Sequence, residues 1–382
     1  MRYCVKCVMP DTKPDLTFDE FGVCNACRNY ENRAETDWHK REQELIKILE
    51  KYKNRDGSNY DCIVPVSGGK DSTYQVIKVL QYGLNPLCVV HTTCDLSDIG
   101  RANIENIKSL GVDLIEFSSN PLIRAKLNRI GLTEVGDISW PEHVGIFTTP
   151  VRAAVQFNVP LIIWGENSQN EYGGPGASVE SQILNRAWLE EFGGLLGFRV
   201  QDLVDEFDFH PKQLINYVYP DDSELKRVGV TGIFLGYFLP WDGLGNSLVA
   251  VANGFTVSDK ATLGSMVNYE NLDNYQTAIH EYFKYLKFGF GRASDHASLH
   301  IRRGRISRKD GIEIVKKYDG AYPESYLGKP LEDILAPLGM DKAEFNHLCD
   351  QFTNTSLFKS DNHGQIIKDI SGRPVKLNYD NE

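Results

Sequence analysis

Residues 60–72 read Tyr-Asp-Cys-Ile-Val-Pro-Val-Ser-Gly-Gly-Lys-Asp-Ser. The apolar run at 60–66 predicts a buried parallel strand, and the periodic run that follows the glycines and extends through Leu80 predicts a helix. The glycines allow the backbone to approach oxygen atoms closely, and the helix directs its N-terminal amides toward an anion. The spacing is not that of a Walker loop, but strand, glycine turn and helix together predict a phosphate-binding loop. The alternative is a simple tight turn.

Hydrophobic patterns on either side of this stretch alternate between strand and helix. Helical periodicity separates the first several strands, and an amphipathic helix is predicted at 35–52. Such alternation predicts an α/β protein with a doubly wound parallel sheet. Further strands are predicted at 86–91, 113–117, 161–164 and 232–238. Later helices are predicted at 275–287, 294–303, 308–318 and 331–338.

The composition limits the classes of protein to be considered. The chain has 382 residues, of which 41% are hydrophobic and 24% are charged, as in soluble globular proteins. No stretch approaches the ~20 apolar residues of a membrane helix, and the N-terminus lacks an apolar signal region. We therefore expect a cytoplasmic protein without membrane insertion. The net charge of −11 provides no general surface for binding nucleic acid.

Four of the eight cysteines lie within the first 27 residues. They form two identically spaced pairs, Cys4 with Cys7 and Cys24 with Cys27, separated by sixteen residues. Four soft thiolates at this spacing suit a closed, tetrahedral Zn²⁺ site with a structural role. The alternatives are a redox pair and an iron–sulfur cluster.

A polar segment follows the strand predicted at 161–164, at the end of a parallel strand where such folds bind ligands. Residues 165–174 read Gly-Glu-Asn-Ser-Gln-Asn-Glu-Tyr-Gly-Gly, which resembles the stretch after a core strand in asparagine synthetases. We expect Glu166, Ser168 and Asn170 to contact substrate, and we expect Glu166 also to be catalytic. The alternative is a solvated loop with a helix cap.

A second polar motif lies at residues 288–297, which read Phe-Gly-Phe-Gly-Arg-Ala-Ser-Asp-His-Ala. Arg292 and His296 are four residues apart, so on a helix they would share one face and could contact the same anion. We predict that both bind substrate and that Arg292 takes part in catalysis. The alternative is a surface helix with scattered charges.

The glycine loop resembles the SGGxDS signature of the ATP-pyrophosphatase, or PP-loop, superfamily. The resemblance implies a sheet of the adenine-nucleotide alpha-hydrolase type, ATP and Mg²⁺ as cofactors, and attack on the α-phosphate. It implies catalytic roles for Lys70 and Asp71, the latter through Mg²⁺, and a nucleotide contact at His91 and Thr92, which follow the second strand. The loop residues implied to hold the cofactor are Ser67, Gly68, Gly69, Asp71 and Ser72.

From the cysteine pairs to the motif at 288–297, most of the chain resembles the N-acetyl sugar amidotransferases of surface-polysaccharide (LPS O-antigen) biosynthesis. The resemblance implies that ATP adenylates the acetamido oxygen of a nucleotide-linked N-acetyl sugar. Ammonia then replaces this oxygen to give an acetamidino sugar, with release of AMP and pyrophosphate. Only 66 residues precede the loop and Cys4 belongs to the metal motif. We therefore expect a separate glutaminase and an ammonia-channelling subunit as partners.

Two other functions stay open at this point. A tRNA-thiolating enzyme of the same superfamily would need a reactive cysteine near the nucleotide. Cys94 follows the second strand and is a candidate, whereas Cys62 and Cys88 lie in apolar strands. The negative net charge of the chain argues against binding of tRNA. The other alternative is a non-catalytic scaffold that binds nucleotide and zinc.

These motifs predict four parts of the chain. A Cys4 zinc knuckle occupies 1–30 and a linking helix occupies 31–57. The PP-loop core occupies 58–270 and contains a helical insertion at about 175–225. A helical C-terminal region and tail occupy 271–382.

Overall fold

The computed structural model describes residues 1–33, 35–166, 183–184 and 200–377, and for 183–184 it describes the backbone alone. Its centre is a six-stranded sheet with the strand order β3-β2-β1-β4-β6-β5. Neighbouring strands from β3 to β6 are parallel, and β5 is antiparallel to β6 at the edge. The strands are β1 Cys62–Pro65, β2 Pro86–His91, β3 Asp113–Phe117, β4 Leu161–Trp164, β5 Ile183–Leu184 and β6 Thr231–Phe234.

Helices cover both faces of the sheet. Since side chains alternate along a strand, Val64 of β1 packs toward one helical layer and Ile63 packs toward the other. The first layer includes helices α2 to α4, and the second is formed mainly by α6. The predicted doubly wound α/β fold is therefore confirmed. The helices up to the sheet's last strand are α1 Asn25–Arg33, α2 Trp38–Tyr52, α3 Lys70–Gln81, α4 Asp98–Ser109, α5 Pro121–Val135, α6 Trp140–Phe157, α7 Val200–Phe207 and α8 Asp222–Val228.

The C-terminal region is helical, as the periodicity predicted, and contains a short hairpin of β7 Ser325–Tyr326 and β8 Lys329–Pro330. Its core is built around helix α11, Thr277–Phe288, with Phe283 packed against Phe345 and Phe352. None of the helices in the described ranges is both long enough and apolar enough to span a membrane. The remaining helices are α9 Leu235–Phe238, α10 Gly243–Ala252, α11 Thr277–Phe288, α12 Arg292–Arg302, α13 Arg308–Tyr318, α14 Leu331–Leu335 and α15 Lys342–Phe352.

Several predicted element boundaries differ from the structure by a few residues. The strand predicted at 232–238 stops at Phe234 and continues as α9, where the Gly236 amide donates to the Gly165 carbonyl at 2.9 Å. A short apolar run does not by itself distinguish a strand from a buried helix. The linking helix starts at Trp38 because the Asp37 side chain caps it by accepting from the Lys40 amide. The helix predicted from 294 starts at Arg292.

The predicted insertion at about 175–225 is described in part, because residues 175–182 and 185–199 lie outside the described residues. Its described part includes the edge strand β5, helices α7 and α8, and two short 3₁₀ turns between them. Leu203, Leu214 and Tyr217 from this part pack against α5 and α6. The segment therefore extends the helical layer on the α6 side of the sheet.

The N-terminal knuckle packs against the C-terminal region. Its four cysteines, Met9 and Leu16 form a small buried cluster that includes Phe290, which lies just before α12. Arg308, at the start of α13, donates its Nε–H to the carbonyl oxygens of Cys4 and Cys7 at 3.3 and 3.0 Å. The beginning and the later part of the chain are thus joined in one packed unit.

Candidate active site

The glycine loop lies between β1 and α3, at the carboxyl end of the sheet. The Gly69 amide donates to Ser67 Oγ at 3.2 Å, and Ser72 Oγ donates back to the Gly69 carbonyl at 2.9 Å. Gly68 has a left-handed φ of +81°, and an added Cβ would lie 2.9 Å from Ile104 Cγ1. The loop therefore requires glycine at this position and leaves the amino end of α3 facing the space above it.

A polar cavity of about 220 Å³ lies above this loop. Among the described residues, its charged lining consists of two cations, Lys70 and Arg292, and of four carboxylates, Asp71, Glu166, Glu270 and Asp273. A bare polyphosphate would be repelled by this excess of negative charge. The lining therefore suits an anionic ligand that arrives with a divalent cation.

Lys70 is the central cation of the site. It is 5% exposed and pairs with Asp71 and with Glu270 Oε1, the latter at 2.8 Å. Burial alone would lower the pKa of Lys70, but the two carboxylates outweigh it and raise the pKa above its ordinary value. Lys70 is therefore held charged with its ammonium group fixed at the mouth of the loop.

Glu270 connects Lys70 to the motif at 288–297. Its second oxygen, Oε2, lies 2.5 Å from His296 Nε2, and His296 Nδ1 lies 3.0 Å from Ser265 Oγ. Burial raises the pKa of Glu270, but His296 and Lys70 outweigh this effect and hold the pKa well below its usual range. A carboxylate 200 positions further along the chain thus positions the lysine of the glycine loop.

Asp71 is held on its other side by Asn246 of α10. The Asn246 Nδ2–H donates to Asp71 Oδ1 at 2.8 Å, and Asn246 itself is buried. The Asp71 side chain is 34% exposed and lines the cavity. This orientation suits the predicted metal-binding role of Asp71, which stays a prediction.

Arg292 lines the cavity and is oriented by a buried carboxylate. Its Nε–H donates to Glu281 Oε1 at 3.0 Å, and Glu281 also pairs with Lys284. Burial raises the pKa of Glu281, but Arg292 and Lys284 outweigh it and lower the pKa. Arg292 and His296 share α12, as predicted, but they have different carboxylate partners, and His296 is almost completely buried.

The remaining predicted site residues have different positions. Glu166 lines the cavity, whereas Ser168 and Asn170 lie outside the described residues. His91 and Thr92 are buried at the end of β2 and are not among the described residues that line the cavity. His91 Nδ1 is 2.7 Å from Thr149 Oγ1, and Thr92 Oγ1 donates to a carbonyl of β3. Their predicted nucleotide contacts stay predictions.

Sequence reasoning missed Glu270, Asp273, Asn246 and Glu281. Burial raises the pKa of the Asp273 carboxyl, which lines the cavity and is a candidate proton acceptor. A signal was present for two of these residues, because residues 268–274 read Asn-Tyr-Glu-Asn-Leu-Asp-Asn. Carboxylates and amides at this density, without helical or strand periodicity, are typical of a functional loop.

The four predicted metal-binding cysteines are buried together. The Sγ atoms of Cys4 and Cys27 are 3.9 Å apart, those of Cys7 and Cys24 are 3.7 Å apart, and all four lie within 4.8 Å of one another. Four sulfur ligands at ~2.3 Å from a tetrahedral Zn²⁺ would be about 3.8 Å apart. The donor set and its spacing therefore fit Zn²⁺ in a closed site.

Comparisons with known proteins find a likeness between the later part of the chain and an LPS biosynthesis domain. A family model described as "LPS biosynthesis protein WbpG-like, C-terminal domain" matches residues 264–371. Among solved structures, the chain is similar to that of NMN synthetase from Francisella tularensis, with 13% identity and a TM-score of 0.26, over 50% of this chain and 91% of that one. No curated protein sequence matches the chain significantly. The matched region contributes Glu270, Asp273 and Arg292 to the cavity.

Proposed function

We propose that the protein is an ATP-dependent, AMP-forming amidotransferase that acts on a nucleotide-linked N-acetyl sugar. One observation carries the proposal: Glu270 and Arg292, from the region similar to an LPS biosynthesis domain, line the same cavity as the SGGKDS loop. Chemistry at the loop and recognition by the C-terminal region would then take place in one site.

The reaction takes place in two steps. In the first, the acetamido oxygen bonds to the α-phosphorus of ATP, the bond to pyrophosphate breaks, and the amide nitrogen gives up its proton. In the second, ammonia attacks the resulting imidoyl carbon and loses a proton, the bond from this carbon to oxygen breaks, and AMP leaves with the former acetamido oxygen. The net change converts acetamido sugar, ammonia and ATP into acetamidino sugar, AMP and pyrophosphate. Adenylation is needed because the oxygen of an amide is a poor leaving group.

The residues of the cavity have distinct roles in this scheme. The loop amides and Lys70 bind the departing pyrophosphate, where negative charge increases in the transition state. Mg²⁺, held by Asp71 when bound, would neutralise part of the same charge. Arg292, which lines the cavity, would bind an anionic or carbonyl group of the substrate, and Asp273 is a candidate acceptor for the proton that ammonia loses.

The cysteines give little support to tRNA thiolation. Burial raises the pKa of Cys94 to about 11 and that of Cys88 to about 12, and it raises the pKa of the Cys62 thiol well above its ordinary value. These three thiols would be protonated near neutral pH and would be poor nucleophiles. They are the candidates that lie in or next to the core strands.

The proposal is tested by incubating the full chain with ATP, Mg²⁺, ammonium and a set of UDP-linked N-acetyl sugars. We expect AMP and pyrophosphate in equal amounts, together with an acetamidino sugar detected by mass spectrometry. Formation of ADP and orthophosphate would contradict attack at the α-phosphate. Pyrophosphate release that depends on tRNA would favour thiolation, and no release with any substrate would favour a binding scaffold.

We also propose that ammonia comes from a separate glutaminase through an ammonia-channelling subunit. The purified chain should then use ammonium salts but not glutamine, and added glutaminase partners should restore glutamine use. Efficient turnover with glutamine by the chain alone would contradict this arrangement.

A further inference from the structure

Three potential metal ligands converge away from the cysteine knuckle. Asp137 lies in the turn between α5 and α6, His143 lies on α6, and His280 lies on α11. His280 Nδ1 is 2.7 Å from Asp137 Oδ1, and His143 Nδ1 is 3.5 Å from Asp137 Oδ2. One ligand atom from each residue lies within 4.8 Å of the others.

The separations between these atoms fit a metal ion. Nitrogen and oxygen ligands at ~2.0–2.1 Å from a tetrahedral Zn²⁺ would be about 3.3 Å apart. The two measured distances, which run to different oxygens of Asp137, are 2.7 and 3.5 Å and lie on either side of this value. The enclosed Nδ1 of His143 makes no hydrogen bond of good geometry, so a cation bound there would displace no hydrogen bond of this atom. Two imidazoles and one carboxylate are also a common donor set for divalent transition metals.

The carboxylate is held in place by its own turn. Asp137 Oδ1 accepts from the Ser139 amide at 2.9 Å, and the Asp137 amide donates to the Gly131 carbonyl at 2.9 Å. An added Cβ at Gly131 would lie 2.5 Å from the Asp137 carbonyl oxygen, so the turn packs tightly against α5. Fixed outer contacts of this kind orient metal ligands in proteins.

The charge closest to the two histidines is the Asp137 carboxylate, which favours a cation. Glu142 and Glu281 also act electrostatically on His143, but Glu142 is paired with Arg124, and Glu281 is paired with Arg292 and Lys284. The nearby cation on α11, Lys287, is directed to the Val135 carbonyl. The Asp137 side chain is 6% exposed, whereas those of His143 and His280 are 31% and 26% exposed, so the histidine side of the cluster is open to solvent.

We propose that Asp137, His143 and His280 bind a divalent transition-metal ion such as Zn²⁺, separately from the cysteine knuckle. The open side leaves at least one coordination position for water or a small ligand. Because the ligands come from α6 and α11, the ion would join the sheet's helical layer to the C-terminal region. His280 also precedes Glu281, the residue that orients Arg292, so the ion would stabilise the turn of α11 beside the cavity.

The test measures bound metal directly and is independent of enzymatic activity. The full chain is saturated with ZnCl₂, desalted and analysed by mass spectrometry for metals. We expect about two Zn²⁺ per chain for the wild type and about one for His143→Gln/His280→Gln. The variant His39→Gln, which changes an exposed histidine, is the control and should keep both ions.

Two further measurements protect the test from a folding artefact. Asp137→Asn keeps an oxygen acceptor for the Ser139 amide but removes the charge, and it should weaken the second Zn²⁺ at least ~10-fold. In Co²⁺-substituted protein, the thiolate charge-transfer bands of the cysteine site should remain in all variants. About one Zn²⁺ per folded wild-type chain, or equal metal content in wild type and variants, would overturn the proposal.

Discussion

Replacing Asp71 by asparagine separates the chemical role of this residue from its structural one. The side chain is one-third exposed, it accepts from Asn246, and it shares Lys70 with Glu270. Asparagine has the same shape and can still accept from Asn246, and Lys70 keeps its second carboxylate. A partly exposed ion pair contributes only about 0–1 kcal/mol, so the free energy of unfolding should fall by about 1 kcal/mol or less.

Catalysis should respond much more strongly than stability. If the carboxylate holds Mg²⁺ against the departing pyrophosphate, its loss should lower the rate of pyrophosphate release by about 10²–10³, or roughly 3–4 kcal/mol in activation free energy. The rate should also become much less dependent on Mg²⁺ concentration. The two effects differ by several kcal/mol, so they can be distinguished in one variant.

The assay follows pyrophosphate release over a series of Mg²⁺ concentrations, with unfolding in urea measured on the same preparations. Asp98→Asn is a matched control, because Asp98 is an exposed carboxylate in the first turn of the neighbouring helix α4. Unchanged turnover and Mg²⁺ dependence in Asp71→Asn would refute the assigned role. A loss of turnover that merely follows a loss of folded protein would do the same.

Three further predictions follow from the packing and charge of individual residues. Gly68→Ala forces a left-handed φ on a residue with a Cβ and brings that Cβ too close to Ile104. We expect the free energy of unfolding to fall by about 1–2 kcal/mol or more, measured by thermal unfolding. We also expect ATP to bind at least ~10-fold more weakly, measured by nucleotide titration. Glu270→Gln leaves Lys70 with one carboxylate and should cost about 1–3 kcal/mol in urea unfolding; an unchanged midpoint would show that the pair is not stabilising. Burial and a nearby guanidinium lower the pKa of His91 to about 3 from an ordinary value of 6.5. Below pH 6.5 the unfolded chain therefore binds a proton that the folded chain excludes, so the free energy of unfolding should fall by up to about 1.4 kcal/mol for each unit by which the pH is lowered. In His91→Gln the free energy of unfolding should change less with pH between about pH 6.5 and 4. The same pH dependence in wild type and variant would contradict the assignment.

Local features of the chain were predictable because the physics behind them is local. The strand, turn and helix at 60–80 follow from an apolar run, two glycines and helical periodicity. The candidate metal site at the cysteine pairs was similarly predictable from the spacing of the cysteines alone. The range of β2 and its place in a parallel sheet followed from the same patterns.

Contacts between distant segments could not be predicted in this way. Lys70 lies in the glycine loop and its partner Glu270 lies in a segment without periodicity, so no local pattern connects them. The spacing of Arg292 and His296 predicted that they share a helix face. It did not indicate which carboxylate pairs with each of them. The end of β6 at Phe234 likewise depends on the hydrogen bond from the Gly236 amide to the carbonyl of Gly165, the residue that follows β4.

The contact between Arg308 and the carbonyl of Cys4 spans 304 positions in the chain. At a synthesis rate of ~5–20 residues per second, the ribosome needs about 15–60 s to make the second partner after the first. The thiols therefore emerge from the ribosome well before the surface that finally covers them. Early capture of Zn²⁺ would protect them from oxidation, so the supply of zinc during translation should affect the yield of folded protein more than zinc added afterwards.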